Sequence, residues 1–134
     1  MLKAPRALPQ LGELELDALE YLWRSGEADV AETHAAIGKR RGITPNTVGS
    51  ALERLHRKGL VRREKVSHAF RYAPLLSREE FAARRVLAAA GDAKSLASAG
   101  LLSAFVDLVA NTDEAALERL ESLIAQKRSQ RGGS

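Results

Sequence analysis

The chain contains no cysteine. That excludes disulfide staples, a thiolate nucleophile and thiolate metal ligation, and it gives no sign of an oxidising compartment. Aromatic residues are scarce, at 4%, while Ala and Leu are abundant, a balance that favours helix over sheet. No apolar run approaches the roughly 18 residues a membrane helix needs. Met1 to Gln10 carries Lys3, Pro5, Arg6 and Pro9 without the apolar core of a signal peptide. A cytoplasmic protein without membrane insertion is expected. The three histidines, His34, His56 and His68, are far apart and lack metal-ligand spacing. There is no glycine-rich phosphate loop, and no serine sits in a nucleophile-elbow context. Glu79 and Glu80 look like a catalytic carboxylate pair, but they fall in the first turn of a predicted helix, where capping accounts for them. No metal, no cofactor and no enzymatic activity are expected.

What the chain does have is an uneven distribution of charge. Of its 134 residues 45% are hydrophobic and the net charge is only +4, an ordinary balance for one small globular domain with an appended element. From Met1 to Gly38, however, seven acidic residues face three Lys/Arg, whereas Lys39 to Tyr72 holds ten Lys/Arg against two acidic residues. From Ala73 to the end the signs balance at eight each. A concentrated positive field of this kind is the electrostatic footprint of nucleic-acid binding, the alternative being a solvated charged face.

The basic segment contains a helix with a distinctive surface. Thr44 is a good N-cap and Pro45 stands at the first helical position, where its missing N–H costs nothing. Val48, Ala51, Leu52 and Leu55 repeat at helical spacing and predict a buried stripe. The other face carries Asn46, Thr47, Ser50 and Arg54, side chains suited to base edges and phosphates in a DNA major groove. Lys39, Arg40 and Arg41 lie just before this helix and should supply phosphate contacts.

Around it the periodicities predict an order of elements. Leu11 to Arg24 reads as helix 1, with Leu16, Leu19, Leu22 and Trp23 apolar and Gly26 ending it. Trp23 follows the stripe and is expected in the core. Asp29-Val30-Ala31-Glu32 is a capping-box start for helix 2. Its inner face is Val30, Thr33 or His34, and Ile37, and Gly38 to Gly42 is expected to break it. Helix 3 runs from Thr44 to about Lys58. Leu60 to Lys65 and Phe70 to Tyr72 then read as two short strands around Val66-Ser67-His68-Ala69, ended by Pro74. In this wing Lys65 and Arg71 are candidate phosphate contacts, and His68 at the tip is either a DNA contact or a plain turn residue. Three helices and a hairpin in this order make a winged helix-turn-helix.

Three more helices follow: one from Ser77-Arg78-Glu79-Glu80 through Phe81 to about Ala90, one from Ser95 to Ala110, and one capped by Asn111 or Thr112 and running to Lys127. Ser129 to Ser134 is polar and should fray. Phe81, Leu101, Leu102, Phe105, Val106, Leu117, Leu120, Leu123 and Ile124 give these helices apolar faces with little of the chain left to cover them. The simplest cover is a second copy, which would place two recognition helices about 34 Å apart or a multiple of that spacing. The alternative is that these helices fold back onto their own winged domain. The expected fold is thus mainly α with a small β-hairpin: a winged helix-turn-helix DNA-binding domain over residues 1–75 and a helical dimerisation domain over 76–134.

These residues together resemble the penicillinase-repressor family of bacterial transcriptional repressors, the BlaI/MecI/CopY type, over roughly Leu11 to Lys127. Leu11-Gly12-Glu13-Leu14-Glu15-Leu16 with Tyr21-Leu22-Trp23 is similar to the family's first helix. Thr44-Pro45-Asn46-Thr47-Val48, Leu52-Glu53-Arg54-Leu55 and Lys58-Gly59-Leu60-Val61 resemble its recognition helix and the exit into the wing. Phe70-Arg71-Tyr72-Ala73-Pro74 resembles the return strand. The resemblance implies a homodimeric repressor on a palindromic double-stranded DNA operator, of β-lactamase-type or related stress genes, with Asn46, Thr47, Ser50 and Arg54 facing DNA. Asn46 stands where many members carry Lys or Thr, and Gly49 where several carry a longer side chain, which bears on operator sequence. Repressors of β-lactamase genes are inactivated by cleavage after signalling by a membrane sensor-protease. The matching bond here is Ala104-Phe105, with Ala104 in place of the usual Asn. The copper-responsive branch uses a C-terminal cysteine cluster, which is absent.

Two other function classes fit the same residues less completely. One is a winged-helix module that binds an acidic protein partner. The other is a small-molecule-responsive regulator with a pocket between the winged domain and the first two of the three later helices.

Overall fold

The structure is a computed structural model that describes residues 8–89, 91 and 98–132. It divides into two compact units, Met1–Ala88 and Ala89–Ser134.

In the first unit, α1 (Glu13–Ser25) begins at Gly12, whose amide donates to Glu15 Oε1 at 3.2 Å, and ends where Gly26 turns to φ 88°. It buries Ala18, Leu19 and Leu22. α2 is the continuous helical run of residues 30–41. It opens with one α turn (Val30–Thr33), widens through a π turn (His34–Gly38) and closes with a last α turn (Lys39–Arg41). The predicted capping box is present: Asp29 Oδ1 accepts from the Glu32 amide at 2.8 Å, and Glu32 Oε1 accepts from the Asp29 amide at 3.0 Å. The break predicted over Gly38 to Gly42 comes only at its last residue, and the helix runs on through Gly38. Gly38 is buried inside the helix, and a Cβ there would overlap the His34 ring and press on Val48 Cγ2 at 3.1 Å. The glycine serves close helix packing, and the helix stops at Gly42, in the left-handed region at φ 69°.

Thr44 caps α3 (Pro45–Arg57) through a 3.2 Å bond from the Thr47 amide, and Val48, Ala51, Leu52 and Leu55 are fully buried as the periodicity required. β1 (Val61–Val66) and β2 (Ala69–Pro74) pair antiparallel, with Val61 opposite Pro74 and Val66 opposite Ala69. The strands are longer than the sequence suggested, so the wing turns on Ser67 and His68 alone. Ser67 takes the positive φ of 60° that such a tight turn asks for. A bridge between Ala28 and Tyr72 ties β2 to the segment before α2 through bonds of 3.0 and 2.8 Å.

α4 (Arg78–Ala89) opens with the Ser77 hydroxyl accepting from the Glu80 amide at 3.0 Å. Its Phe81, expected in a dimer face, lies instead in the core of this unit: it is 5% exposed and its ring sits 5.3 Å from that of Trp23. Trp23 Nε1 donates to the Leu76 carbonyl at 2.9 Å, so the one tryptophan staples α1 to the chain leaving the wing. The predicted arrangement of three helices, hairpin and further helices is the one the chain adopts.

The second unit is a pair of packed helices, α5 (Ala99–Thr112) and α6 (Glu114–Gly132). Ser98 caps α5 through a 3.4 Å bond from the Leu101 amide; the predicted start at Ser95 lies outside the described residues. Asn111 and Thr112, the predicted caps of α6, are the last residues of α5. Asp113 is the cap, its Oδ1 accepting from the Ala115 amide at 3.0 Å. α6 also runs on to Gly132 rather than fraying from Ser129. Leu117 and Leu120 are half-buried, but Leu101, Leu102, Phe105, Val106, Leu108, Leu123 and Ile124 are exposed, from 37% at Val106 to 67% at Leu108.

Candidate nucleic-acid interface

The outer face of α3 forms one wall of a groove whose other wall is the wing. Asn46, Ser50, Glu53 and Arg57 line it from the helix and Arg63 from β1, with Val30, Gly49 and Tyr72 among its apolar lining. Asn46, Ser50 and Arg57 are exposed. On a helix these positions recur every three to four residues, so they share one face. Arg57 was not singled out in the sequence. Its spacing of seven from Ser50 was the signal, masked by its place in the short basic stretch His56-Arg57-Lys58. Among the described residues it makes no ion pair, which leaves it available to a phosphate or base.

Much of the positive charge that is contiguous in sequence is neutralised in space, because the acidic first segment folds against the basic second one. Arg40 and Arg41 both hold Asp17, at 2.9 Å each, although Arg40 stays 60% exposed. Lys58 Nζ lies 2.6 Å from the buried Glu15 carboxylate, and Arg54 Nε lies 3.9 Å from its other oxygen. Burial alone would raise the Glu15 carboxyl, but the Lys58 hydrogen bond, the Gly12 amide and the charges of Lys58 and Arg54 together hold it below its ordinary value. Arg54 therefore leans toward α1 and only partly toward the outer face.

The wing divides the predicted contacts further. Lys65 stands opposite Phe70, and Arg71 stands opposite Glu64, so Lys65 and Arg71 occupy opposite faces of the hairpin. Arg71 is held by Glu27 and Glu32, at 2.9 Å each, and approaches Asp29 at 4.0 Å. The hydrogen bond from Arg71 to Glu27 is the main cause that raises its already high pKa, with the Glu32 and Glu27 charges adding to it against desolvation. Arg71 is thus a clamp between the wing and the N-terminus of α2 rather than a free cation. Lys39, Lys65 and His68 are exposed and make no ion pair among the described residues. The Thr44 and Thr47 hydroxyls lie 3.0 Å apart and bond each other, and Pro45 is exposed at the first turn.

No group of three or more His, Asp or Glu that could hold a metal is present among the described residues. His34 Nε2 donates to the Ile43 carbonyl at 2.8 Å, which fixes the entry to α3, and His56 Nδ1 bonds the Val61 carbonyl at 3.3 Å. Both are structural. No helix among the described residues is long and apolar enough to cross a membrane.

A capped, basic, groove-lining helix followed by a two-stranded wing defines a winged-helix nucleic-acid-binding protein. Residues 11–126 match the penicillinase repressor family, and the chain belongs to that family, which consists of transcriptional repressors and not enzymes. It is 34% identical over 114 residues to the transcriptional regulator BlaI of Mycobacterium tuberculosis, covering 84% of this chain and 83% of that one. It is 24% identical over 76 residues to the penicillinase repressor of Bacillus licheniformis, covering 57% and 59% of the two chains. Among solved structures, the DNA-binding domain of the repressor BlaI matches with a TM-score of 0.50 and 25% identity, over 60% of this chain and 93% of that domain.

Proposed function

We propose that this chain is a dimeric, sequence-specific transcriptional repressor. It binds a palindromic operator by placing α3 in the major groove and the wing along the backbone, and it works in the cytoplasm. The observation that carries this reading is the outer face of α3: Asn46 and Ser50 offer hydrogen bonds to base edges, and Arg57, free of any carboxylate among the described residues, stands beside them. Lys39 before the helix and Lys65 on the wing extend the cationic edge toward phosphates. The apolar surface of α5 and α6 is the dimer face, formed by the exposed Leu101, Leu102, Phe105, Val106, Leu123 and Ile124 with the half-buried Leu117 and Leu120. Ala104 and Phe105 lie inside α5, so a sensor-protease cut between them would split that face and remove the avidity of paired half-sites.

Binding of the purified chain to its own promoter region across a salt series tests this. The affinity should fall with a log–log slope of about −0.9 for each phosphate neutralised. A flat salt response, or equal affinity for promoter and random duplex, would contradict it.

A further inference from the structure

Glu53 is a carboxylate placed in a surface otherwise built to meet a polyanion. It sits in the α3 groove with Asn46, Ser50 and Arg57. Left bare there, it would repel phosphate and weaken binding to every sequence alike. The fold does not leave it bare. Its Oε1 pairs with Arg63 from β1 and accepts from the Tyr72 hydroxyl at 3.2 Å. Arg63 is itself held in place, with its guanidinium 4.3 Å from the centre of the Phe70 ring. Two residues of the wing, Arg63 and Tyr72, thus hold one oxygen of a recognition-helix carboxylate, and a third, Phe70, holds Arg63. The other oxygen, Oε2, makes no hydrogen bond among the described residues.

An acceptor held rigidly, with its charge partly offset and one oxygen uncommitted, has a specific use in a major groove. It accepts from an exocyclic amino group, N4 of cytosine or N6 of adenine, and it rejects the O6, O4 and N7 acceptors of the other bases. Resting on the DNA-binding reading above, we infer that Glu53 is a specificity-determining residue that reads an amino-bearing base edge at one position of each half-site, with Arg63, Tyr72 and Phe70 as positioning residues. Specificity here comes as much from rejection as from attraction, because an acceptor facing Oε2 leaves two unpaired negative groups in contact.

Selection from a random duplex library with the full-length chain, repeated with Glu53→Gln, tests the inference. The substituted amide keeps the size but offers a donor as well as an acceptor, so it cannot reject as the carboxylate does. The wild-type chain should enrich cytosine or adenine at one position of each half-site, preferred roughly tenfold over the acceptor-only alternatives. The variant should lose that preference while keeping the rest of the motif. Glu53→Asp, which retains the charge but draws the oxygen back by one methylene, should lose it too. If either variant, shown folded by its melting curve, enriches the same motif as the wild type, Glu53 does not read a base and the inference falls. If the wild-type chain enriches no sequence at all, the DNA-binding reading beneath it falls instead.

Discussion

Lys58 Nζ lies 2.6 Å from Glu15 Oε2 and 2.9 Å from the Gln10 carbonyl, so the residue that closes the recognition helix also locks it to the start of α1. The Glu15 carboxylate is buried, with a side-chain exposure of 8%, and removing its partner strands a charge out of water. Lys58→Ala should therefore destabilise the winged unit by about 2 kcal/mol, measured by urea denaturation. A loss below a few tenths of a kcal/mol would mean that the pair contributes nothing beyond an ordinary surface contact.

The same pair sets an acid limit. Glu15 titrates below its ordinary value of 4.5 in the folded chain. The unfolded chain then binds the proton more readily, so stability rises with pH across this window. The contribution of Glu15 is complete above about pH 4.5 and is lost as the pH falls through the lowered folded value. Glu15→Gln should flatten the acid limb of a plot of stability against pH. An unchanged limb would assign acid sensitivity to other groups.

Arg57 and Arg71 should behave as opposites. Arg57→Ala is expected to leave the melting temperature unchanged while weakening promoter binding and reducing the salt slope by about one. Arg71→Ala should lower the melting temperature, since it frees the wing from Glu27 and Glu32, but leave the salt slope near the wild-type value. Identical effects of the two variants on slope would return Arg71 to the DNA surface.

How far the sequence carried is clearest from such pairs. Periodicity alone located α1, α3 and the wing, because their apolar stripes face a single core and their ends carry strong signals: Gly26, Thr44 with Pro45, and Gly59. It misread Gly38 because glycine marks both a helix stop and a close approach of side chains, and only the positions of the His34 ring one turn back and of Val48 on the neighbouring helix tell them apart. It misplaced Phe81 because an apolar residue on an amphipathic helix does not say which partner covers it. The basic segment was legible as a total, but not which cations were already taken. Glu15, Asp17, Glu27 and Glu32 lie far from their arginine and lysine partners in sequence. Arg57 emerged only when the helix face was assembled beside the wing.

Gly38→Ala tests the packing claim. The added methyl group meets the His34 ring and Val48, so the variant should lose about 1–3 kcal/mol of stability through overpacking. A melting temperature equal to or above that of the wild type would show that the His34 ring and Val48 can give way without cost.

On the proposed dimer face, Phe105→Asp should leave the chain monomeric where the wild type associates, as read by light scattering. A charge in the middle of the apolar α5 surface is unpaired in any contact that buries it. The winged unit should keep its melting transition, which separates loss of association from loss of folding.

The most direct measurement is the stoichiometry and affinity of the full chain on a duplex bearing two half-sites and on one bearing a single half-site, by sedimentation and titration at fixed salt. Two chains should bind the paired sites as a unit, with affinity on the order of a hundredfold or more above the single site. One chain per duplex, with equal affinity for both duplexes, would contradict a repressor that works through paired recognition helices.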